Sequence, residues 1–207
     1  MNADALAQAL RSALLPLAAV PAGPPANLDE VRDLLPPGPP RPAAVLVGIA
    51  PRDAGPQVWL TRRVDGLRHH AGQVSFPGGA ADPGDRDPVA TALREAQEEI
   101  RLPPSRAEPL GYLNPLLTLT GFRVQPVVAL VDPGFVPQPA PDEVAEVFAL
   151  DLRWLLDPAN VERIALDFAG RERHVLQYRY APQRIWGATA AILDDLRRRL
   201  AGRPLPP

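Results

Sequence analysis

A paired-glycine loop followed by a helix with three glutamates along one edge constrains the fold of this chain more than any other feature. The segment runs from Phe76 to Leu102 and reads FPGGAADPGDRDPVATALREAQEEIRL. Asp87 followed by Pro88 favours a helix start, because aspartate caps free amide groups and proline at the first helical position loses no donor that the helix needs. The helix is predicted to run to about Ile100.

Helical spacing sorts the side chains of this segment into two faces. Glu95, Glu98 and Glu99 stand at i, i+3 and i+4, so their carboxylates are expected to share one solvent-side edge. The residues expected to turn toward a core are Leu93, Ala96 and Ile100. Clustered carboxylates repel one another, which indicates a bound cation. With no cysteine or histidine nearby, oxygen ligands favour a hard ion such as Mg²⁺ or Mn²⁺.

The arginine of the helix and the glycines of the loop help to decide whether the three glutamates bind a cation. Arg94 stands beside Glu95 and four residues before Glu98, and it is predicted to orient a carboxylate rather than to join the metal. The alternative is a solvated acidic face whose arginine forms surface ion pairs. The loop favours the metal site, because Gly78 and Gly79 allow a tight turn and a close approach to a ligand.

These residues resemble the Nudix box. Its usual form is a glycine, a spaced glutamate, then RE, a hydrophobic residue, any residue, EE, any residue and glycine. The matching positions here are Gly79, Arg94, Glu95, Glu98 and Glu99.

Two positions depart from that form. The spaced glutamate is expected eight residues before the arginine, where this chain has Arg86, so the loop is expected to be longer than usual, with Asp82 or Asp85 as acidic stand-ins. The closing glycine is replaced by Arg101. The helix is therefore expected to lack its usual left-handed cap residue.

A second motif lies just upstream and resembles the signature of the coenzyme A pyrophosphatase branch of Nudix hydrolases. One position, normally a small residue, is Val64 here. The matching positions are Leu60, Thr61, Arg63, Arg68, Gly72, Phe76, Pro77, Gly78 and Gly79.

The resemblance implies an α/β fold, the Nudix α/β/α sandwich with a mixed β-sheet and a loop-helix-loop catalytic motif. It also implies Mg²⁺- or Mn²⁺-dependent hydrolysis of the coenzyme A diphosphate to adenosine 3',5'-bisphosphate and 4'-phosphopantetheine. One alternative is a Nudix pyrophosphatase acting on NADH, ADP-ribose or another nucleoside diphosphate derivative. Another is a non-catalytic module that senses a nucleotide, although a module without chemistry has no need for three crowded glutamates.

Roles follow from the resemblance and from charge. The predicted metal ligands are Glu95, Glu98, Glu99 and Gly79. The predicted catalytic residues are Glu98, Arg94 and Glu143, the last because acidic residues in a later loop can approach the metals in the family; simple solvation is its alternative. The predicted substrate-binding residues are Arg63, Arg68, His70, Gly78 and Phe76.

The basic residues of the upstream motif leave alternatives open. A guanidinium fork suits phosphate oxygens. Because neighbours on a strand point to opposite faces, either Arg62 or Arg63 is expected to lie on an exposed face. His69 and His70 could equally be hydrogen-bonded structural residues.

The length of 207 residues is typical of one well-buried domain with additions. Residues 1–42 are predicted to form an N-terminal helical extension and a proline-rich connector, and residues 43–207 the Nudix domain. Helices are predicted at 5–14, at 27–35 with Asn27 in a capping box, and at 188–200. Strands are predicted at 43–50, 57–64, 110–113, 122–131 and 146–150, with a hairpin at 161–168 and 172–180.

Composition excludes several classes of function. The formal net charge of -2 gives no electrostatic footprint for nucleic acid. The absence of cysteine excludes disulfides and thiolate chemistry. No apolar run approaches the roughly 20 residues that cross a bilayer. The chain is thus predicted to be a cytoplasmic enzyme with a small-molecule substrate, and its oligomeric state stays open.

Overall fold

The computed structural model describes residues 2–66, 72–168 and 170–206. Its α-helices are α1 (Ala3–Arg11), α2 (Leu28–Val31), α3 (Pro88–Ile100), α4 (Leu152–Leu156) and α5 (Gly187–Leu200). Its strands are β1 (Arg41–Arg52), β2 (Gly55–Arg63), β3 (Val74–Ser75), β4 (Gly78–Ala80), β5 (Ala107–Tyr112), β6 (Leu116–Leu117), β7 (Phe122–Val131), β8 (Val144–Asp151), β9 (Val161–Phe168), β10 (Arg171–Tyr180) and β11 (Gln183–Trp186).

The larger sheet is mixed. Its strand order is β3-β2-β1-β7-β5, with β4 also paired to β1, β6 to β7 and β8 to β2. β1 runs parallel to β7, whereas it is antiparallel to β2 and β4. A smaller antiparallel sheet has the order β11-β10-β9.

Alternation along β1 gives this sheet two buried faces. Val47 and Ile49 pack in one apolar cluster together with residues of α1, α4 and α5. Leu46 and Ala50 pack in a second cluster with residues of α3. Because successive side chains of a strand point to opposite faces, the sheet lies between helices, as the predicted α/β/α sandwich requires.

The N-terminal segment shares this core. Leu6 and Leu10 of α1 are fully buried and belong to the same cluster as β1. Asn2 caps α1 by accepting hydrogen bonds from the amides of Asp4 and Ala5. No helix in the described part of the chain is long and apolar enough to cross a membrane.

The predicted helix at 27–35 is wrong in extent and in its cap. α2 makes a single turn and is followed by a 3₁₀ turn at Arg32–Leu34. The Asn27 side chain does not cap it but accepts from the Leu117 amide and donates to the Leu117 carbonyl, both at 2.8 Å. A long-range partner therefore outcompetes the local cap.

The other predicted elements agree within a few residues, and the hairpin of β9 and β10 is confirmed. Sequence patterns do not indicate the short strands β3, β4, β6 and β11. Two to four residues carry too little alternation to indicate a strand.

Candidate functional site

The paired-glycine segment is a strand that leads into the acidic helix. β4 pairs with β1 at Ala44 and Val45, and a loop at 81–87 connects it to α3. The Asp87 side chain accepts a hydrogen bond from the Ala90 amide at 2.8 Å, so the predicted helix start is confirmed. At the other end Arg101 adopts φ 59° and ψ 29°, a left-handed conformation. The expectation that the helix lacks a left-handed cap is therefore wrong.

The three glutamates differ strongly in exposure. The Glu98 side chain is 60% exposed, that of Glu95 is 15% exposed and that of Glu99 is 4% exposed. The expectation of a shared solvent-side edge is wrong for Glu99, because residues i+4 along a helix are rotated by about 40° and this rotation turns Glu99 toward β2 and β4. The site consequently combines a buried, a half-buried and an exposed carboxylate.

Arg94 holds the loop and two glutamates together. Its Nε and Nη2 donate to the two oxygens of Asp85 at 3.2 and 3.0 Å, and Nη2 also donates to the Ala80 carbonyl at 3.0 Å. Nη1 donates to Glu95 at 2.9 Å and to Glu98 at 3.2 Å. This two-point contact lowers the pKa of Asp85 to about 2. Asp85 therefore fixes the guanidinium, which in turn orients the glutamates.

Burial dominates the electrostatics of Glu99. Desolvation raises its pKa from the ordinary 4.5 to about 8, opposed by the charge of Arg63 and the Gly78 amide. The charges of Glu95 and Glu143 contribute to this rise in the same direction as burial. The Arg63 Nη1 lies 3.7 Å from the Glu99 Oε1, which is an ion pair but longer than a hydrogen bond.

Burial also raises the pKa of Glu95, partly offset by the hydrogen bond from Arg94. The charges of Glu98 and Glu143 act in the same direction as burial. The carboxylates of this site therefore raise one another's pKa, which is expected where anionic groups are clustered to bind a cation.

Close contacts explain both glycines of β4. A Cβ on Gly79 would lie 2.5 Å from the Glu95 Oε1, and a Cβ on Gly78 would lie 2.4 Å from the Ala44 carbonyl oxygen. Gly79 thus allows the Glu95 carboxylate to rest against the backbone of β4. Gly78 instead allows β4 to pack on β1, so the geometry gives it a structural reason and its substrate contact stays a prediction.

The loop that carries Glu143 is tied to the end of α3. The amides of Gln138 and Ala140 donate to the carbonyls of Ile100 and Glu99 at 3.0 and 2.8 Å. The Val64 amide donates to the Glu143 carbonyl at 3.0 Å. The exposed Glu143 side chain is close enough to raise the pKa of both Glu95 and Glu99. Sequence spacing gave no sign of these backbone contacts.

The upstream motif divides into three groups. Phe76 is 2% exposed and packs in the main core, so the structure gives it a packing role and its predicted contact with substrate stays a prediction. Arg62 contacts Glu146 and Asp65, whereas Arg63 faces Glu99. The predictions for Arg68, His69 and His70 fall outside the described residues.

The residues present fit a divalent cation by their chemistry. The Glu99 Oε2 is buried and has no hydrogen-bond partner among the described residues. The possible ligands carry oxygen alone, which suits Mg²⁺ or Mn²⁺. In the described ranges, however, no three acidic or histidine side chains are arranged to hold a metal ion. Arg94 occupies Glu95 and Glu98 while Arg63 faces Glu99, so a cation held by all three glutamates would compete with both arginines.

Known proteins are similar to this chain in sequence. Residues 39–169 match the family model of the NUDIX domain. The chain is 43% identical over 164 residues to an uncharacterized Nudix hydrolase NudL of Pectobacterium atrosepticum, covering 79% of this chain and 85% of the relative. It is 42% identical over 156 residues to the NudL of Photorhabdus laumondii, also described as uncharacterized, covering 75% and 83%.

A solved structure agrees with the fold. The crystal structure of RenU, a Nudix hydrolase from M. Smegmatis, superposes with a TM-score of 0.56 at 20% identity, covering 82% of this chain and 91% of that chain. Because residues 39–169 match the family model and two relatives are more than 40% identical, this chain belongs to the Nudix family and is similar over most of its length to Nudix hydrolases.

Proposed function

We propose that this Nudix hydrolase cleaves the diphosphate of coenzyme A with Mg²⁺ or Mn²⁺, giving adenosine 3',5'-bisphosphate and 4'-phosphopantetheine. The observation that carries the choice of substrate is the upstream motif from Leu60 to Gly79, which resembles the coenzyme A pyrophosphatase signature and continues directly into the Nudix box. The contact between Arg63 of the first motif and Glu99 of the second supports the view that the two motifs serve one site. Hydrolysis of a nucleoside diphosphate derivative is the broader class.

The cation would be held by Glu95, Glu98 and Glu99, with the backbone of Gly79 as a further proposed ligand. When bound, it supplies charge neutralisation of the diphosphate and a lowered pKa for water. Arg94 keeps two of these carboxylates in place, and its own position is fixed by Asp85.

The proton of the attacking water needs an acceptor. Glu143 is the proposed base, because it is exposed and close enough to influence Glu95 and Glu99. As the water oxygen forms its bond to phosphorus, the bridging P–O bond breaks, Glu143 takes one proton, and the leaving phosphate keeps the electron pair. Arg63, Arg68 and His70 are proposed to face the substrate's approach.

Product identification tests the proposal. The purified protein is incubated with coenzyme A and Mg²⁺ or Mn²⁺, and the products are identified by chromatography and mass spectrometry. We expect the two named products, with one ¹⁸O in one of them when the reaction runs in H₂¹⁸O. Glu98→Gln is expected to reduce turnover by at least about a hundredfold.

Competing substrates separate the alternatives. Coenzyme A is expected to be cleaved with higher kcat/KM than NADH or ADP-ribose. Dephospho-coenzyme A, which lacks only the 3'-phosphate, should lose about tenfold or more if a charge-assisted contact of roughly 1.5–3 kcal/mol disappears. Faster turnover of NADH or ADP-ribose would favour the other pyrophosphatase activity, and nucleotide binding with no turnover would favour the sensing module.

A further inference from the structure

An open cavity of about 320 Å³ lies beyond the C-terminal end of α3. Its walls come from the segment 101–106, which includes a 3₁₀ turn, and from the segment 134–138 of the loop that follows β7. None of Glu95, Glu98 and Glu99 lines it, and the proposed hydrolysis gives it no role. Its volume lies at the lower end of the range in which proteins bind small ligands.

Two arginines make this cavity positively charged. Arg101 and Arg106 line it, and no described aspartate or glutamate does. The Arg101 side chain has no ion-pair or hydrogen-bond partner among the described residues. Arg106 has one long contact, 3.9 Å from its Nε to the Asp132 Oδ2. Both guanidinium groups can therefore bind an anion, for which their planar arrangement of donors is suited.

Arg101 adopts its backbone conformation at a cost. At φ 59° and ψ 29° it is left-handed, which costs a residue other than glycine about 1–2 kcal/mol. The glycine usual at this position of the Nudix box would avoid that cost. In the described ranges no ion pair or hydrogen bond of the Arg101 side chain offsets it. Uncommon backbone conformations cluster at ligand sites, so a ligand of the guanidinium is a physical reason for arginine at this position.

The loop wall of the cavity is held in place by hydrogen bonds. Arg52 of β1 donates to the carbonyls of Pro133 and Phe135. The Gln138 amide donates to the Ile100 carbonyl at 3.0 Å. This bond satisfies one of the last carbonyls of α3, which would otherwise disfavour an anion near the end of the helix. A cavity formed in this way needs little rearrangement to bind a ligand.

The remaining surface of the cavity is largely apolar. Pro103, Phe135 and Val136 line it, and the Val136 residue is 72% exposed. A ligand that covers this surface gains from burial of apolar area, which a free ion does not. A phosphate group carries close to two negative charges at neutral pH, which matches two guanidinium groups. We infer that the cavity binds the phosphate group of a small organic molecule, such as a nucleotide, at Arg101 and Arg106.

Titration of the metal-free protein tests this site independently of the proposed hydrolysis. AMP and inorganic phosphate are added separately at constant ionic strength with a chelator present, which excludes binding through a metal ion at the glutamates. Chemical shifts of the backbone amides report where each probe binds. We expect saturable shifts at Arg101, Arg106 and 134–138, with AMP bound at least about threefold more tightly than inorganic phosphate. Equal affinities would contradict the organic ligand and assign the site to the free phosphate ion.

Substitutions test the two arginines. Arg101→Gln and Arg106→Gln should each weaken AMP binding at least about fivefold, the scale of a partly exposed charge-assisted contact. Arg101→Lys should lie between Arg101→Gln and the unmutated protein, because lysine keeps the charge but not the planar set of donors. Arg32→Gln is the matched control, because it removes the same charge from a side chain that is 69% exposed and does not line the cavity. It should change the affinity by less than about twofold at physiological ionic strength.

Three results would each overturn the inference. They are no saturable binding of AMP up to about 10 mM, shifts confined to residues around the three glutamates, and an affinity for AMP that Arg101→Gln changes no more than Arg32→Gln does. If Arg101→Gln does not fold, Arg106→Gln decides by the same titration.

Discussion

Replacing Glu99 by glutamine should stabilise the metal-free protein while it abolishes turnover. Glu99 is nearly buried, and desolvation raises its pKa to about 8. In the unfolded chain the pKa of the Glu99 carboxyl is near 4.5. Between pH 4.5 and 8 the native state therefore binds more protons than the unfolded state. The free energy of unfolding therefore falls as pH rises through this window, and the penalty is fully present above about pH 8.

The magnitude of the stabilisation by Glu99→Gln follows from the difference between the pKa values of Glu99 in the folded and unfolded states. A pKa raised from 4.5 to about 8 corresponds to at most about 5 kcal/mol above pH 8, since one pKa unit is worth 1.36 kcal/mol. Glutamine has the same shape without the charge, but it loses the ion pair with Arg63. The pKa of about 8 already includes this ion pair, in which the Arg63 Nη1 lies 3.7 Å from the Glu99 Oε1. Burial of the charge is the larger effect, so Glu99→Gln should be more stable by about 2–4 kcal/mol at pH 9 and equal at pH 4.

Urea denaturation with a chelator present, at several values between pH 4 and 9, measures the difference between the two proteins. Glu98→Gln is the control, because the Glu98 side chain is 60% exposed. The stability of this variant should follow that of the unmutated protein at every pH. Adding Mn²⁺ should stabilise the unmutated protein more than Glu99→Gln, since a ligand that binds the native state raises its stability by mass action. A Glu99→Gln protein that is less stable than the unmutated one at pH 9 without metal would refute the argument.

Three further changes test individual contacts. Gly79→Ala should lower kcat/KM at least about tenfold, because its Cβ would displace Glu95, while Gly84→Ala, where a Cβ meets nothing within 4 Å, should leave it unchanged. Glu143→Gln should reduce kcat at saturating metal more than His69→Gln or His70→Gln does; a larger loss in either histidine variant would show that the base lies elsewhere. In calorimetric melts Arg101→Gly should leave the free energy of unfolding unchanged or raise it by up to about 1 kcal/mol. Arg101→Val should lower it by about 1–2 kcal/mol, because a branched side chain resists a positive φ. Equal melting curves for the two variants would contradict this.

Local sequence determines a large part of this fold. The start of α3 at Asp87 and Pro88 is predictable, because the cap and the proline act within one turn. The hairpin of β9 and β10 is also predictable, because its alternation continues over eight or more residues on each side of the turn. The cap at Asn27 is not, since its competing partner, Leu117, is 90 residues away in the chain.

The site shows the same division between local and distant causes. The helical spacing indicates which residues carry the chemistry, but exposure depends on what packs beside each of them. Glu98 and Glu99 are neighbours in the sequence, yet β2 and β4 bury only the second. The role of Asp85 is likewise set by its contact with Arg94, and its departure from the usual motif spacing conceals it.

The arginine at the closing position of the Nudix box illustrates what a motif glycine encodes. A left-handed conformation costs an ordinary residue about 1–2 kcal/mol, which is why glycine is preferred there. At Arg101 the contacts on both sides impose the conformation: Leu102 is buried, and the amides of Gln138 and Ala140 bind the last carbonyls of α3. The residues of those two amides belong to the loop that ends at Glu143. The glycine of the motif thus marks a left-handed backbone conformation at the end of the helix. This chain adopts the same conformation with arginine, because backbone hydrogen bonds hold its loop, α3 and the acidic site together. These bonds do not depend on the side chain at position 101.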